Sequence, residues 1–317
     1  MNTEQLKIPV LFLVFNRPET TRRVFDAIRS AKPCVLYVAA DGPRRDRVGE
    51  LLMVEQVRQI ALAVDWPCDV KTLFRDENLG CRDAVSSAIN WFFENVEQGI
   101  VLEDDCVPSP SFFEYCEVML TKYKLDREIG MISGFNPLGA GVSTNEYFKS
   151  INPSIWGWAT WRDRWQGYDK EIKGWDQEDN KRLIRNKLTI KAYYYYSLCF
   201  DLVSGGILNT WDYQWTFYLM ANNMLTIKTK SNCITNIGTE GVHADGADQN
   251  HNILFGNIDA KQLVYNKSEG GIQDELFYKS CIPSMTHILI KKTLYKIGYY
   301  QLAKDLSNSI KKYLRRK

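Results

Sequence analysis

Residues 8–15 (IPVLFLVF) form an unbroken apolar run, the pattern of a parallel strand covered on both faces. Asn16-Arg17-Pro18 closes it and opens a helix. Pro18 suits a first helical position, and Thr21, Val24, Phe25 and Ile28 recur at helical spacing until Pro33. Residues 34–40 (CVLYVAA) read as a second strand, stopped by Asp41-Gly42-Pro43, and Leu52, Val57, Ile60, Ala61 and Val64 mark a second helix. A third strand is expected near 69–74, a polar loop at 75–80, a third helix on Ala84, Val85, Ala88, Ile89 and Phe92, and a fourth strand at 99–102. This alternation predicts an α/β fold with a doubly wound, mainly parallel sheet, whose ligands sit at the carboxyl ends of the strands.

Those ends are Asn16-Arg17, Asp41-Gly42, Arg75 to Gly80 and Glu103 to Asp105, and all of them are polar. Past residue 130 the pattern loosens into Gly-, Asn- and Trp-rich segments, as in a substrate-binding half with long loops. The organisation expected is a doubly wound half (1–130), a less regular half (131–283) and a helical tail (284–317). In the tail Leu302, Leu306, Ile310 and Tyr313 share one helical face, while Lys304, Lys311, Lys312 and Arg315 occupy the other.

Composition sharpens this picture in two places. The net charge of +2 hides an asymmetry: residues 288–317 carry nine Lys or Arg against one Asp, leaving the rest of the chain acidic. An anionic surface is therefore a partner for the tail only, and no nucleic-acid partner is expected. A helix docked on the body or on a second subunit is the competing reading of the tail. The eight cysteines are scattered, without C-x-x-C pairs or zinc spacing, and read as reduced, mostly buried thiols. No run reaches the roughly 20 apolar residues of a membrane span, and no leader pattern precedes Ile8, so a cytoplasmic location is expected, with peripheral attachment to the inner face of the cell membrane through the tail.

The sharpest chemical signal is Ile100-Val101-Leu102-Glu103-Asp104-Asp105, an apolar strand ending in three acids. Adjacent carboxylates repel, so such a cluster calls either for a cation or for solvent at a helix-capping turn. Asp41 could accept from a nucleotide base N–H or simply make an Asp-Gly turn, and Arg17 could meet a phosphate or base edge or lie on the surface. Arg75 and Asn78 belong to a loop that either contacts a nucleotide or only connects. In Asn209-Thr210-Trp211-Asp212-Tyr213-Gln214-Trp215, Asp212 is a candidate general base or a helix N-cap. Seven of the nine tryptophans fall between Trp156 and Trp215, which suits sugar stacking and an aromatic core alike. Gly238-Thr239-Glu240-Gly241-Val242-His243 offers a glycine-punctuated loop whose histidine either reaches a metal or pyrophosphate or lies exposed.

In order, these motifs resemble the GT-A family of the N-acetylglucosaminyltransferase (type I) that initiates complex N-glycans in the Golgi. The resemblance covers roughly residues 8–245, through Val10 to Arg17, Asp41, Val101 to Asp105 with the Ser109-to-Tyr115 segment, Gly157-Trp158, Trp211-Asp212 and Gly241-Val242. It implies a GT-A fold with a nucleotide-binding first half and an inverting, metal-dependent transfer of a sugar from a UDP-sugar. Asp105 would hold Mn2+ or Mg2+, Asp104 the ribose, Glu103 the donor sugar, and Arg17 and Asp41 the nucleotide. Asp212 would be the catalytic base, with Trp158 and Trp211 in the sugar pocket and the loop at Gly241 and Val242 closing over the pyrophosphate. His243 stands where that family has Ser, and a metal role for it is this chain's own departure. The basic tail resembles bacterial transferases that build surface polysaccharides, so the expected acceptor is a glycan or lipid-linked glycan. The competing readings are a sugar-1-phosphate nucleotidyltransferase and a carbohydrate-binding scaffold. The former normally has a Gly-rich, basic loop after the first strand, which Asn16-Arg17-Pro18-Glu19 does not supply.

Overall fold

A computed structural model describes residues 5–138, 146–238 and 270–306. The chain begins β1 (Val10–Val14), α1 (Pro18–Ala31), β2 (Val35–Ala40), α2 (Glu50–Ala61), β3 (Asp69–Phe74), α3 (Gly80–Asn95), β4 (Gln98–Glu103). It continues with β5 (Cys106–Pro108), α4 (Pro110–Lys122), β6 (Ile129–Ser133), β7 (Tyr147–Ser150), β8 (Trp158–Trp161), α5 (Arg162–Trp165), α6 (Glu178–Lys187), α7 (Ile190–Ser204) and α8 (Asp212–Ala221). Then come β9 (Leu225–Thr229), β10 (Ile234–Asn236), α9 (Gly270–Ser280) and α10 (Met285–Lys296).

Eight strands make one sheet in the order β3-β2-β1-β4-β8-β6-β9-β7. The first four are mutually parallel, as the alternating pattern predicts, so β1, β2 and β4 end on one rim. Strand β8 runs antiparallel between β4 and β6, pairing Trp158 with Val101 and Trp161 with Gln98. Its start therefore lies close to the carboxyl end of β4. Both long stretches of the chain contribute to this sheet, which is mixed α/β and covered by helices on its two faces.

The period of two along each strand sorts the core. Val10, Phe12, Val14, Ile100 and Leu102 point to the face covered by α1, α2 and α4. Leu11, Leu13, Val101 and Met131 point to the other, under α3 and α8. Four tryptophans, Trp158, Trp165, Trp211 and Trp215, fill that second face. Leu52 departs from its expected inward position: it is 69% exposed, while Val54 is buried with Val57, Ile60 and Ala61. The helix takes its phase from Glu50, whose carboxylate turns inward to Asn16 and Arg44, and Leu52 then falls on the outer side. Val64 lies beyond the end of α2. The tail is helical over α10 and again over residues 300–306, so Leu302, Leu306 and Lys304 are described, and Ile310 to Arg315 lie outside the described residues. Among the described residues no helix is long and apolar enough to cross a membrane, and all eight cysteines are free.

Candidate active site

The three acids after β4 meet the arginine after β1, because those strands are neighbours in register. The Arg17 guanidinium bridges two carboxylates, Nη1 donating to Asp105 Oδ2 at 2.8 Å and Nη2 to Asp104 Oδ1. The Phe15 N–H donates to the other oxygen of Asp104 at 3.3 Å. Asp104 is almost wholly buried, and the buried Oε1 of Glu103 has no hydrogen-bond partner in the structure.

Burial pushes the Glu103 carboxyl up, and the charges of Asp105 and Asp104 push it further, to about 8. Burial likewise raises Asp104, against the pull of Arg17. For Arg17 burial opposes the charge, yet the two carboxylates hold it well above the ordinary arginine value. Two carboxylates thus share one guanidinium, with the Glu103 carboxyl buried beside them. That donor set fits a divalent cation, whose ligands are hard oxygens. Among the described residues no three His, Cys, Asp or Glu side chains are disposed to hold a metal ion together.

Asp41, at the end of β2, makes the Asp-Gly turn that was one of its two readings. Its carboxylate accepts from the N–H groups of Gly42, Leu79 and Gly80 at 3.0 to 3.1 Å and from Asn78 Nδ2 at 2.9 Å. Two oxygens with four such donors have little capacity left for a nucleotide base. Asp41 instead clamps the loop 75–80 onto β2, and burial outweighs these bonds to raise its pKa. Asn78 spends its amide on Asp41 and on the Gly42 carbonyl at 2.9 Å. Arg75 donates to Ser87 Oγ at 2.8 Å, and burial lowers its pKa against the charge of Asp41. Gly42 is required here: a Cβ would come 2.4 Å from the Glu77 carbonyl carbon.

Asp212 opens α8 more than a hundred residues along the chain, and its charge reaches the same acids. Its charge, with those of Asp105 and Asp104, adds to the upward push on Glu103. The thiol of Cys81 feels Glu103, Asp212 and Asp41 together, after the dominant effect of burial, and is driven up. Asn209 joins the two regions physically, its Oδ1 accepting from the Arg82 N–H at 3.3 Å at the start of α3. The Thr210 hydroxyl donates to Asp212 Oδ1 and fixes that carboxylate. Around it lie Tyr168, whose OH donates to the Trp211 carbonyl at 3.1 Å, and the hydrogen-bonded hydroxyls of Tyr195 and Tyr213, 2.9 Å apart. Burial first, and Asp212 among the lesser causes, raises all three phenols.

The sugar-pocket role expected of Trp158 and Trp211 meets a plain obstacle: they are 0% and 1% exposed and stack on each other at 5.7 Å. A ring with both faces packed in the core has none for a sugar. They form instead the floor on which α8, and so Asp212, is set. Gly241, Val242 and His243 lie outside the described residues. The segment leading to them reaches the acids, for Ile237 N–H donates to the Asp105 carbonyl at 2.8 Å, and a Cβ on Gly238 would lie 2.4 Å from Asp105 Oδ2. The sequence motifs contain Asn209, Thr210 and Gly238 without assigning them a role, and Cys81 lies outside them, next to Gly80; adjacency was the available signal.

No family model and no curated protein matches the chain. Among solved structures, a UDP-glucose pyrophosphorylase complexed with UDP-glucose aligns over 71% of this chain and 91% of its own, at 10% identity and a TM-score of 0.36. HddC from Yersinia pseudotuberculosis aligns over 49% and 77%, at 9% identity and a TM-score of 0.29. Likeness at this level assigns no activity.

Proposed function

We propose that this chain is an inverting glycosyltransferase of the GT-A type, moving a sugar from a UDP-sugar, GlcNAc-like, to a hydroxyl of a glycan or lipid-linked acceptor. One observation carries the reading: Arg17 is bonded to Asp104 and Asp105 at the strand ends, and Asp212, from a third distant part of the chain, lies near enough for its charge to act on Glu103.

Each residue has work it can do there. Asp212, with one oxygen held by Thr210, keeps the other free to take the proton of an acceptor hydroxyl. The acceptor oxygen then bonds to the anomeric carbon as the bond from that carbon to the diphosphate breaks, and the configuration inverts. Arg17 supplies fixed positive charge beside the acids, and Glu103 offers a buried, unpartnered oxygen to a hydroxyl of the donor sugar. Asp105, joined by Asp104, is the residue that would hold Mn2+ or Mg2+, a Lewis acid that offsets charge on a leaving diphosphate. The sequence after β1 favours transfer over nucleotidyl exchange: α1 begins at Pro18 directly behind Arg17, with no glycine-rich phosphate loop between.

The decisive measurement is turnover of a panel of UDP-sugars with and without Mn2+, beside a parallel assay for pyrophosphate from UTP and sugar 1-phosphates. Transfer or donor hydrolysis that needs Mn2+ supports the proposal, and pyrophosphate release alone replaces it with a nucleotidyltransferase. D212N should lose transfer while binding donor normally by calorimetry, and D105A should lose the metal-dependent part of donor binding. Full transfer by D212N would remove Asp212 from the reaction.

A further inference from the structure

The helices that end the described chain have a used side and an unused side. On the used side α10 packs against α7: Ile288 is buried, Lys292 Nζ lies 2.7 Å from Ser197 Oγ and 3.1 Å from Asp201 Oδ2, and Tyr295 OH donates to the Asp201 carbonyl at 2.9 Å. On the other side stand Leu289, Ile290 and Ile297, followed by Tyr299, Leu302 and Leu306, all of them exposed and four at 57% or more. Exposed apolar side chains in such succession, over α10, the turn at Gly298 and the helical residues 300–306, form a patch that calls for a partner. Lys296 is exposed among them and Lys304 lies half-buried beside them.

Charge decides which partner. Residues 288–317 hold nine Lys or Arg and one Asp. A two-fold dimer through this face would bring Lys296 and Lys304 near their copies, and like charges brought together oppose association. An anionic bilayer has the opposite demand, since it takes apolar side chains at the headgroup boundary and attracts Lys and Arg around them. Lysine stems also lie along an apolar surface while their ammonium groups reach outward to lipid phosphates. We propose that the exposed face of α10 and residues 297–306 docks this protein on an anionic lipid bilayer, independently of what the cleft transfers.

Co-sedimentation of the full chain with vesicles tests this. The protein should pellet with vesicles of phosphatidylcholine mixed with phosphatidylglycerol, not with phosphatidylcholine alone, and added salt should release it. K296Q with K304Q should lower partitioning about five-fold per charge removed. L302S with L306S should lower it by at least about ten-fold. Unchanged melting temperatures will show that the variants, altered only at the surface, remain folded. Equal recovery on neutral and anionic vesicles, or none on either, overturns the proposal. So does a concentration-dependent dimer in light scattering that L302S with L306S abolishes.

Discussion

Replacing Arg17 with Met removes the one guanidinium set between Asp104 and Asp105 while roughly keeping side-chain length. Asp104 is almost wholly buried, and its charge would then have no cation beside it. Leaving a buried charge uncompensated costs about 3–5 kcal/mol, and the partial exposure of Arg17 places this case near about 3. For a protein of this size that corresponds to a fall in melting temperature of about 4–5 °C. The loss must depend on pH, with a definite sign. Glu103 and Asp104 have folded pKa values raised above their unfolded ones, Glu103 to about 8. For an acid so shifted the folded state binds more protons, and stability falls as pH rises from the ordinary carboxylate value, about 4, through the folded one. R17M raises those folded values further, so its deficit against the unmodified protein should be about 1 kcal/mol near about pH 5 and about 3 near about pH 8. Thermal melts at the two pH values, with and without Mn2+, measure this. An ion that occupies the acids should return up to about 2.7 kcal/mol to R17M when present at about a hundred times its dissociation constant. A loss of equal size at both pH values would mean that packing, not charge, is what Arg17 provides.

T210V removes the hydroxyl that fixes Asp212 and should lower kcat about ten-fold while leaving donor affinity unchanged, since one charge-assisted hydrogen bond is lost; equal changes in both would mean that Thr210 shapes the donor pocket instead. G42A forces a methyl against the Glu77 backbone and should cost about 1–3 kcal/mol in urea unfolding as loop 75–80 moves. An unchanged midpoint would show that the loop yields freely. D274N strikes the bonds that tie α9 to the end of β7, where Asp274 accepts from Ser150 Oγ at 2.6 Å, Ile151 N–H at 3.1 Å and Asn152 Nδ2 at 2.7 Å. An amide directs N–H groups at some of those donors, and the expected loss is about 1–3 kcal/mol, read from the same urea titration.

The parallel half of the sheet was legible because each strand is an apolar run cut off by Gly, Pro or Asp, and each helix carries a periodic stripe. Where the stripe was read in the wrong phase, at Leu52, the cause was Glu50, a carboxylate that turns inward to Arg44 and Asn16 and sets the helix rotation. The nearness of Arg17 to Asp104 and Asp105 followed from strand adjacency, a rule of the fold. The saturation of Asp41 did not, because it depends on how the backbone of residues 78–80 turns back on β2. Trp158 and Trp211 show another limit: an indole has the same composition in a sugar stack and in a core, and only burial separates the two. Cys81 and Thr210 acquire meaning only once α3 and α8 are placed side by side.

The antiparallel β8, lying between β4 and β6, couples the parallel half of the sheet to the remainder through a continuous ladder of main-chain bonds. A hinge between the two would have to tear that ladder, at a cost far above thermal energy. Any rearrangement around the acids after β4 is therefore a matter of loops above a rigid platform.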